Sequence, residues 1–349
     1  MMSGKRRRRA RRKILVALSG GVDSAVTAAL LAEQGYDVGG ASMLLHPGGV
    51  EEAGAAEAAA ERLGLPFRLF RWEDHFRREV IEPFAGVYRA GGTPNPCVYC
   101  NQALKFGRFL DAALQLGYDG IATGHYARIE TGGRRVLLKT AADAAKDQTY
   151  VLGGLTQRQL AHTILPLGGY TKDEVRDLAA RFGLSEQQGK KDSQDICFIP
   201  DGDYLGYLTA HGLVPQAGQF LGPGGEPLGP HRGYEGYTIG QRRGLGIAAG
   251  RRVYVTAKPR PDVVLGEEAA LYTTAARLSG MNWIPWDVPP GPLRAEVKLR
   301  YTAKPAPCTV TLRDGGAELA FDLPQRAVTP GQAAVLYDGE TVLGAGTIV

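Results

Sequence analysis

The 349-residue chain has only four cysteines, four methionines and three tryptophans, and no apolar run long enough to span a membrane. The shortage of apolar runs and of cysteines excludes whole classes of protein. A bilayer span needs about 18 or more consecutive apolar residues, and the nearest candidate, Ile14 to Leu31, is interrupted by Asp23 and two glycines. The apolar stretch behind the basic N-terminus, Ile14 to Leu18, is too short for the core of a secretory signal. So few cysteines exclude a disulfide framework and point to a soluble protein of the reducing cytoplasm. No second C-x-x-C and no H-x-x-x-H accompanies Cys97 and Cys100, so a structural zinc site lacks half its ligands. Basic excess is also absent outside the tail. Lys5 to Lys13 carries eight positive charges, and in the rest of the chain 33 basic residues are outnumbered by 36 acidic ones. Overall charge therefore draws nucleic acid only through the tail or through local patches.

What is present reads as two or three domains. Lys13 to Leu18 is a β-branched and aliphatic run that stops at Ser19-Gly20-Gly21 and gives way to an Ala/Leu-rich helical stretch. A second cycle follows, with strands at Val38 to Leu45 and Phe67 to Phe70 around a helix at Glu51 to Leu63; Asp111 to Leu116 and Gly120 to Thr123 add a helix and a strand. This alternation predicts an α/β domain with a doubly wound parallel sheet over residues 13–200, binding ligands at the carboxyl ends of its strands. A glycine-rich stretch predicts a small connecting domain over 201–280. Alternating strands with turns such as Asp314-Gly315-Gly316 and Asp338-Gly339 predict a C-terminal antiparallel β-barrel over 281–349. Residues 1–12 read as a basic disordered tail.

Three segments carry chemistry. Ser19-Gly20-Gly21-Val22-Asp23-Ser24 sits between a strand and a helix, where glycines bring backbone N–H groups to phosphate oxygens and the helix N-terminus adds positive potential. It is an anion cradle, but no G-x-x-x-x-G-K-[ST] exists and the loop offers no lysine to the phosphates. In Thr93-Pro94-Asn95-Pro96-Cys97-Val98-Tyr99-Cys100-Asn101, two prolines predict a rigid, extended approach that holds both thiols toward a site. Cys197 follows a polar run and precedes an apolar one. A lone cysteine is commonly a small buried hydrophobe, the reading for Cys308, but thiolate and persulfide sulfur are also good nucleophiles.

In chain order SGGVDS, TPNPCVYCN, ATGHYAR, KDQTYVL, DSQDICFIPDGDY, GYTIGQRRGLGI, LRYTAKPAPCTV and AVTPGQAAVLYDGE resemble the tRNA-specific 2-thiouridylases of the PP-loop ATP pyrophosphatase superfamily, from Ile14 to the C-terminus. The resemblance implies a PP-loop, adenine nucleotide alpha hydrolase-like domain. It also implies replacement of the 2-oxygen of a wobble uridine in tRNA by sulfur, using ATP, Mg2+ and a persulfide from a sulfur carrier or cysteine desulfurase. Ala17, Leu18, Ser19, Gly20, Gly21, Val22, Asp23, Ser24, Met43 and Gly124 would then bind ATP, with Asp23 near Mg2+. Cys197 would carry the persulfide, and Cys100 would attack it and form a Cys100–Cys197 disulfide. Asn95, Pro96 and Cys97 would touch the target base, and His125, Lys146, Asp147, Gln148, Arg300, Tyr301 and Gln332 the tRNA.

Alternatives remain at this level. Taken singly, His125 also fits a turn hydrogen bond, Lys146 and Arg300 solvated charges, and Tyr301 the outer face of a barrel. Some members of the family carry Asp at the position of Cys97; with Cys here, Cys97, Cys100 and Cys197 could instead ligate a [4Fe–4S] cluster through three irons. The rival activity is a PP-loop amide-forming ligase that needs no cysteines. The family analogy implies a monomer bound to one tRNA.

Overall fold

The computed structural model describes residues 11–184, 196–199, 201–248 and 250–349. Most of the basic tail and the Lys191–Asp195 part of the Cys197 motif lie outside these residues.

The first sheet forms where the sequence alternates strand and helix. β1 (Lys13–Ala17) leads through the glycine turn into α1 (Val22–Glu33), followed by β2 (Asp37–Leu44), α2 (Val50–Arg62) and β3 (Phe67–Arg71). β4 (Gly120–Ala122) and the two-residue strand β7 (Thr163–Ile164) complete a five-stranded sheet in the order β3, β2, β1, β4, β7, every pairing parallel. β1 lies centrally, and Ile14, Leu15 and Val16 are essentially sealed from solvent because helices cover both faces. Successive strands run outward in opposite directions from β1, so the crevice at the carboxyl ends of β1 and β4 is the switch point where such sheets bind ligands. The glycine turn and Gly124-His125 both open into it.

Two further sheets follow. Between the halves, β8 (Gly218–Leu221), β9 (Pro227–His231), β10 (Tyr254–Ala257) and β11 (Val263–Gly266) pair in the order β10, β11, β8, β9. The C-terminal barrel is antiparallel, in the order β12 (Tyr272–Trp283), β15 (Gly316–Arg326), β14 (Ala306–Arg313), β13 (Leu293–Lys298), β16 (Ala333–Asp338), β17 (Thr341–Ile348), and closes through β12 with β17. Closure removes the exposed strand edges that an open antiparallel sheet would present. Cys308 is fully buried inside it, as expected for a core thiol.

Two features depart from the expected pattern. A hairpin, β5 (Arg128–Gly132) and β6 (Arg135–Lys139), grows out of the α/β half and extends the barrel sheet by pairing Lys139 with Thr341. Its sequence, RVLLK, alternates too briefly to announce this; β17 supplies the edge that makes it a strand. The C-x-x-C is also not extended. Pro96 is the first residue of a helix capped by Asn95, whose side chain accepts from the Cys97 N–H at 3.1 Å, and residues 96–115 are helical throughout. Proline suits that first position, because its missing N–H is one a helix start leaves unbonded anyway.

The α/β half and the barrel share one core. Leu15, Phe106, Phe109, Leu110 and Leu152 pack with Val335, Tyr337 and Val342, and Tyr150 is 1% exposed at their junction. Its hydroxyl donates to the Ala333 carbonyl of β16 at 2.8 Å. Tyr150→Phe leaves that partly buried carbonyl short of a donor, and we expect a loss of about 1 kcal/mol in urea unfolding with the barrel intact. An unchanged unfolding midpoint would show that the hydroxyl does not tie the halves together.

Candidate functional site

The loop after β1 is shaped by contacts that only glycine allows. Gly20 has φ +74°, and a Cβ there would stand 2.7 Å from the Glu52 carbonyl oxygen of α2. Ser24, buried in the first turn of α1, donates to the Gly21 carbonyl at 2.9 Å and accepts from the Ser19 N–H at 3.1 Å; the two serine hydroxyls are 3.3 Å apart. The turn is thus knitted by its own side chains. Gly124, after β4, packs so closely that a Cβ would meet the Asp23 carbonyl carbon and the Ser24 nitrogen at 3.0 Å. Met43 lies near the end of β2, half-buried and paired with Phe70 of β3. Every position expected to bind ATP except Met43 therefore lies in this loop or against it.

Asp23 points into a cluster that the local sequence does not announce. The Lys172 ammonium, from the first residue of the helix Lys172–Arg181, donates to both carboxylate oxygens at 2.8 Å, and the Tyr126 hydroxyl donates to one of them at 3.0 Å. Lys172 is 7% exposed. Both Asp23 oxygens are thus engaged by the ammonium, and a dication at Asp23 would have to share or displace it. The only local trace of Lys172 is the Thr171-x-x-Glu174 capping box at the start of its helix.

The thiols form a second cluster, linked to the first through His125. Cys97 and Cys197 are exposed and Cys100 is 8% exposed, packed with Phe84, Leu104, Phe198 and Ile199. Burial pushes the Cys100 thiol up to about 12, with Lys105 opposing the rise and the other two cysteines adding to it. Burial also raises Cys97 and Cys197, again against Lys105. Lys105 lies five residues beyond Cys100 in a π-helical stretch, Cys100–Arg108, whose wider turn brings positions five apart into register. Burial works against its charge, but Cys100, Cys97 and Cys197 outweigh that and hold its pKa above the ordinary lysine value. Sequence reading missed Lys105, because five-residue spacing is silent in an α-helical pattern.

His125 hydrogen-bonds Thr123 Oγ1 through Nδ1 at 2.8 Å and lies against the Phe106 ring. Burial first, and Lys105 second, push its pKa down to about 3. Lys105 therefore bears electrostatically on the thiols on one side and on the residue beside Gly124 on the other.

The residues expected to meet tRNA are drawn from the α/β half and from the barrel. Tyr301 is exposed and within electrostatic reach of Asp147, Lys146 and Cys97. Gln332 donates to the Thr93 carbonyl at 2.8 Å, Thr93 N–H donates to Pro330 O at 2.8 Å, and Thr93 Oγ1 meets Thr238 Oγ1 at 3.3 Å, so the approach to the cysteines is pinned by both other sheets' segments. Several of these side chains already have structural partners. Asp147 accepts from Ala141 N–H and Thr149 Oγ1, Gln148 accepts from Tyr126 N–H, and Arg300 donates to Ala327 O and Thr329 Oγ1. Arg300 is thus no solvated surface charge.

Among the described residues no group of three or more His, Cys, Asp or Glu side chains is arranged to hold a metal ion. Cys97, Cys100 and Cys197 influence one another electrostatically, with Cys100 covered and the other two open. The [4Fe–4S] ligand set considered from the sequence is not assembled here. No helix among the described residues is long and apolar enough to cross a membrane.

A nucleotide-type parallel sheet with a glycine cradle at its switch point, followed by a small sheet and a closed barrel, defines a class that the comparisons with known proteins narrow. The family described as "tRNA methyl transferase HUP domain" matches residues 12–201, "tRNA methyl transferase PRC-barrel domain" residues 207–263 and "Aminomethyltransferase beta-barrel domain" residues 273–348. A tRNA-specific 2-thiouridylase MnmA of Clostridium botulinum (strain Alaska E43 / Type E3) is 45% identical over 354 residues, covering 97% of this chain and 98% of that protein. Its counterpart in Heliobacterium modesticaldum (strain ATCC 51547 / Ice1) is also 45% identical, over 96% of this chain and 92% of that one. Among solved structures, a 4-thiouridine synthetase–RNA complex with bound ATP is similar over 57% of this chain and 50% of that chain, with TM-score 0.38 and 18% identity. The chain belongs to the tRNA-specific 2-thiouridylase family.

Two outcomes test this site. In the native protein, iodoacetamide should label Cys97 and Cys197 before Cys100 and Cys308, read by peptide mass spectrometry; equal labelling of all four thiols would contradict the burial described. His125 binds fewer protons folded, with a pKa of about 3, than unfolded, at about 6.5. Its contribution to stability is complete above about pH 6.5 and falls as pH drops toward 3. His125→Asn should flatten the fall in urea stability between about pH 6 and 4 by up to about 1.4 kcal/mol per pH unit. Identical slopes in both proteins would show that His125 protonates freely in the folded state.

Proposed function

We infer that this chain is an ATP-dependent tRNA-uridine 2-sulfurtransferase acting on a wobble uridine. The observation that carries the reading is the grouping of Cys97, Cys100 and Cys197 around Lys105, joined through His125 and Gly124 to the glycine cradle. An ATP cradle alone serves many reactions. Three thiols beside it serve a reaction in which the activated carbon takes sulfur, and the relatives named 2-thiouridylase match nearly the whole chain.

The chemistry follows from leaving groups. The uridine 2-oxygen attacks the α-phosphorus of ATP, the bond to the β-phosphate oxygen breaks, and pyrophosphate departs against the backbone N–H groups of residues 19–24. The terminal sulfur of a Cys197 persulfide attacks C2, and AMP leaves with the former 2-oxygen. A second thiolate then attacks Cys197 Sγ. The sulfur–sulfur bond breaks, the uridine keeps the outer sulfur, and a protein disulfide remains that needs two electrons from an external thiol reductant. Cys100 is our assignment for that second thiolate. Its burial keeps it protonated as the chain stands, so its attack requires base-loop entry to uncover it, with Lys105 as the nearby positive charge that favours the thiolate.

An unstacked anticodon base is read at its edges by polar groups and held by stacking and phosphate contacts. Asn95, Pro96 and Cys97 are assigned to the base, and His125, Lys146, Asp147, Gln148, Arg300, Tyr301 and Gln332 to the tRNA around it. ATP enters as its Mg2+ complex, which neutralises phosphate charge; no step is assigned to Mg2+ at Asp23. A persulfide carrier or cysteine desulfurase supplies the sulfur, and the protein works as a cytoplasmic monomer. The domain assignment is a tail over 1–12, a catalytic domain over 13–200, a connecting domain over 201–280 and a tRNA-binding barrel over 281–349.

Unmodified tRNA incubated with the protein, Mg-ATP and a persulfide donor should yield 2-thiouridine at the wobble position by nucleoside mass spectrometry. Cys197→Ser should still form AMP but no thionucleoside. An ATP-dependent activity that survives both Cys100→Ser and Cys197→Ser would overturn this reading in favour of an amide-forming ligase.

A further inference from the structure

The helix Glu82–Arg89 supplies Phe84, Ala85 and Tyr88 to the apolar cluster in which Cys100 is buried, and the chain leaving its end runs through Gly91, Gly92 and Thr93 to the helix that carries Cys97 and Cys100. Backbone bonds close that helix end: the N–H groups of Ala90, Gly91 and Gly92 donate to the carbonyls of Gly86, Tyr88 and Val87. The last carbonyls of a helix need partners from outside it. For Arg89 that partner is the Tyr234 hydroxyl of the connecting segment, which donates to its carbonyl. We propose that Tyr234 is a positioning residue for the sulfur-transfer step, a latch that keeps Cys100 covered until substrate is bound. The proposal rests on the reading of Cys100 and Cys197 given above and gives a role to a residue that reading does not use.

Tyr234 is fully buried, and its own surroundings hold it in place. Its N–H donates to the Gln216 carbonyl at 2.9 Å. Lys258 Nζ stands 5.1 Å from the ring centroid and the Arg260 guanidinium 5.8 Å from it. Lys258 Nζ is buried with no hydrogen-bond partner among the described residues, so the aromatic face and the charge of Glu235 are what compensate it. The ring in turn holds the turn after the helix: a Cβ on Gly91, where φ is +85°, would stand 3.2 Å from Tyr234 Cε2. On the barrel side, a Cβ on Gly92 would stand 2.9 Å from the Pro330 carbonyl oxygen. Thr238 meets Thr93 Oγ1 at 3.3 Å, so residues 234–238 clasp residues 89–93 at both ends.

The latch matters because a Cys197 persulfide has two fates. With the activated base in place, its outer sulfur goes to C2. Without it, a Cys100 thiolate that attacks Cys197 Sγ breaks the sulfur–sulfur bond, forms the Cys100–Cys197 disulfide and expels the outer sulfur as hydrosulfide, so the sulfur is lost. Burial keeps Cys100 protonated and so suppresses the second path. Tyr234 secures the end of the helix that provides part of that burial.

Iodoacetamide labelling without substrates reads the cover directly. Tyr234→Phe keeps the ring and its two cations but removes the donor, and should speed labelling of Cys100 about 3- to 10-fold with Cys308, inside the barrel, unchanged. Val263→Ala, a truncation in the core of the same small sheet, should lower the unfolding midpoint at least as much and leave both labelling rates as in the parent. Loaded with a persulfide donor and given no tRNA, Tyr234→Phe should release hydrosulfide about 3- to 10-fold faster than the parent, and Tyr234→Phe/Cys100→Ser no faster than the parent. Equal Cys100 labelling in the parent and Tyr234→Phe would overturn the proposal, as would an equal rise in Val263→Ala or a hydrosulfide release that Cys100→Ser does not lower. A parent protein that takes up no persulfide on Cys197 would instead overturn the sulfur-transfer reading, while labelling still decides whether Tyr234 covers Cys100.

Discussion

Two backbones touch at the carboxyl end of the parallel sheet, and the site is built on that contact. Gly124 at the exit of β4 abuts the Asp23–Ser24 peptide, while Gly20 is pressed against the Glu52 carbonyl of α2. A methyl group at either place would need room that main chain, not a flexible side chain, occupies. The loop is therefore clamped between α2 and the chain leaving β4, and the hydroxyls of Ser19 and Ser24 close it on itself. Its amides are fixed before any ligand arrives, which is the condition under which oriented dipoles stabilise a phosphate without reorganisation cost. The same contact places His125, the next residue after Gly124, beside the loop and toward Lys105.

Charge in the crevice is then arranged by two lysines with different partners, Lys172 buried and Lys105 half-buried. Lys172 has a carboxylate, so the pair adds no net charge to the cradle. The groups that act on Lys105 are the three thiols, none of them a carboxylate. Removing an ammonium from water costs free energy that a neutral thiol repays poorly and a thiolate repays well. At that end of the crevice Lys105 opposes, without overcoming, the burial that raises all three thiols. His125 feels the same field with the opposite sign and stays neutral, so its ring can accept or donate a hydrogen bond without adding a second cation.

The sheet, the glycine cradle, the three cysteines and the barrel were legible in the sequence because each has a local signature: hydrophobic period, turn residues, or a motif string. The strands around Lys13, Asp37 and Phe67 and the helices between them lie where the pattern predicts, within a residue or two of the expected ends. What escaped is non-local. Lys172 and Asp23 are far apart in the chain and meet only because the helix Lys172–Arg181 packs beside α1. Lys105 escaped because a π-helical turn shifts the register that α-helical reading assumes. The hairpin at Arg128–Lys139 became a strand pair only because Arg135 and Gln157 bond the Ile284 carbonyl and β17 offers an edge. The two prolines before Cys97 predict an extended approach, but with Asn95 as cap the second of them starts a helix.

The junction at Thr93 shows why one active site needs three sheets. Its N–H and C=O are held by Pro330 and Gln332 of the barrel, and its hydroxyl meets Thr238 of the connecting segment. These bonds fix the residue three positions before Pro96, the start of the helix that carries Cys97 and Cys100. Arg300 extends the same clamp, donating to Ala327 and Thr329 of the barrel and reaching the Ile239 carbonyl at 3.4 Å. A macromolecule bound across the barrel and the connecting segment would therefore load the backbone that leads directly into the thiol helix. Such a load would act on the helix that keeps Cys100 covered, whereas Cys97 and Cys197 are already open to solvent.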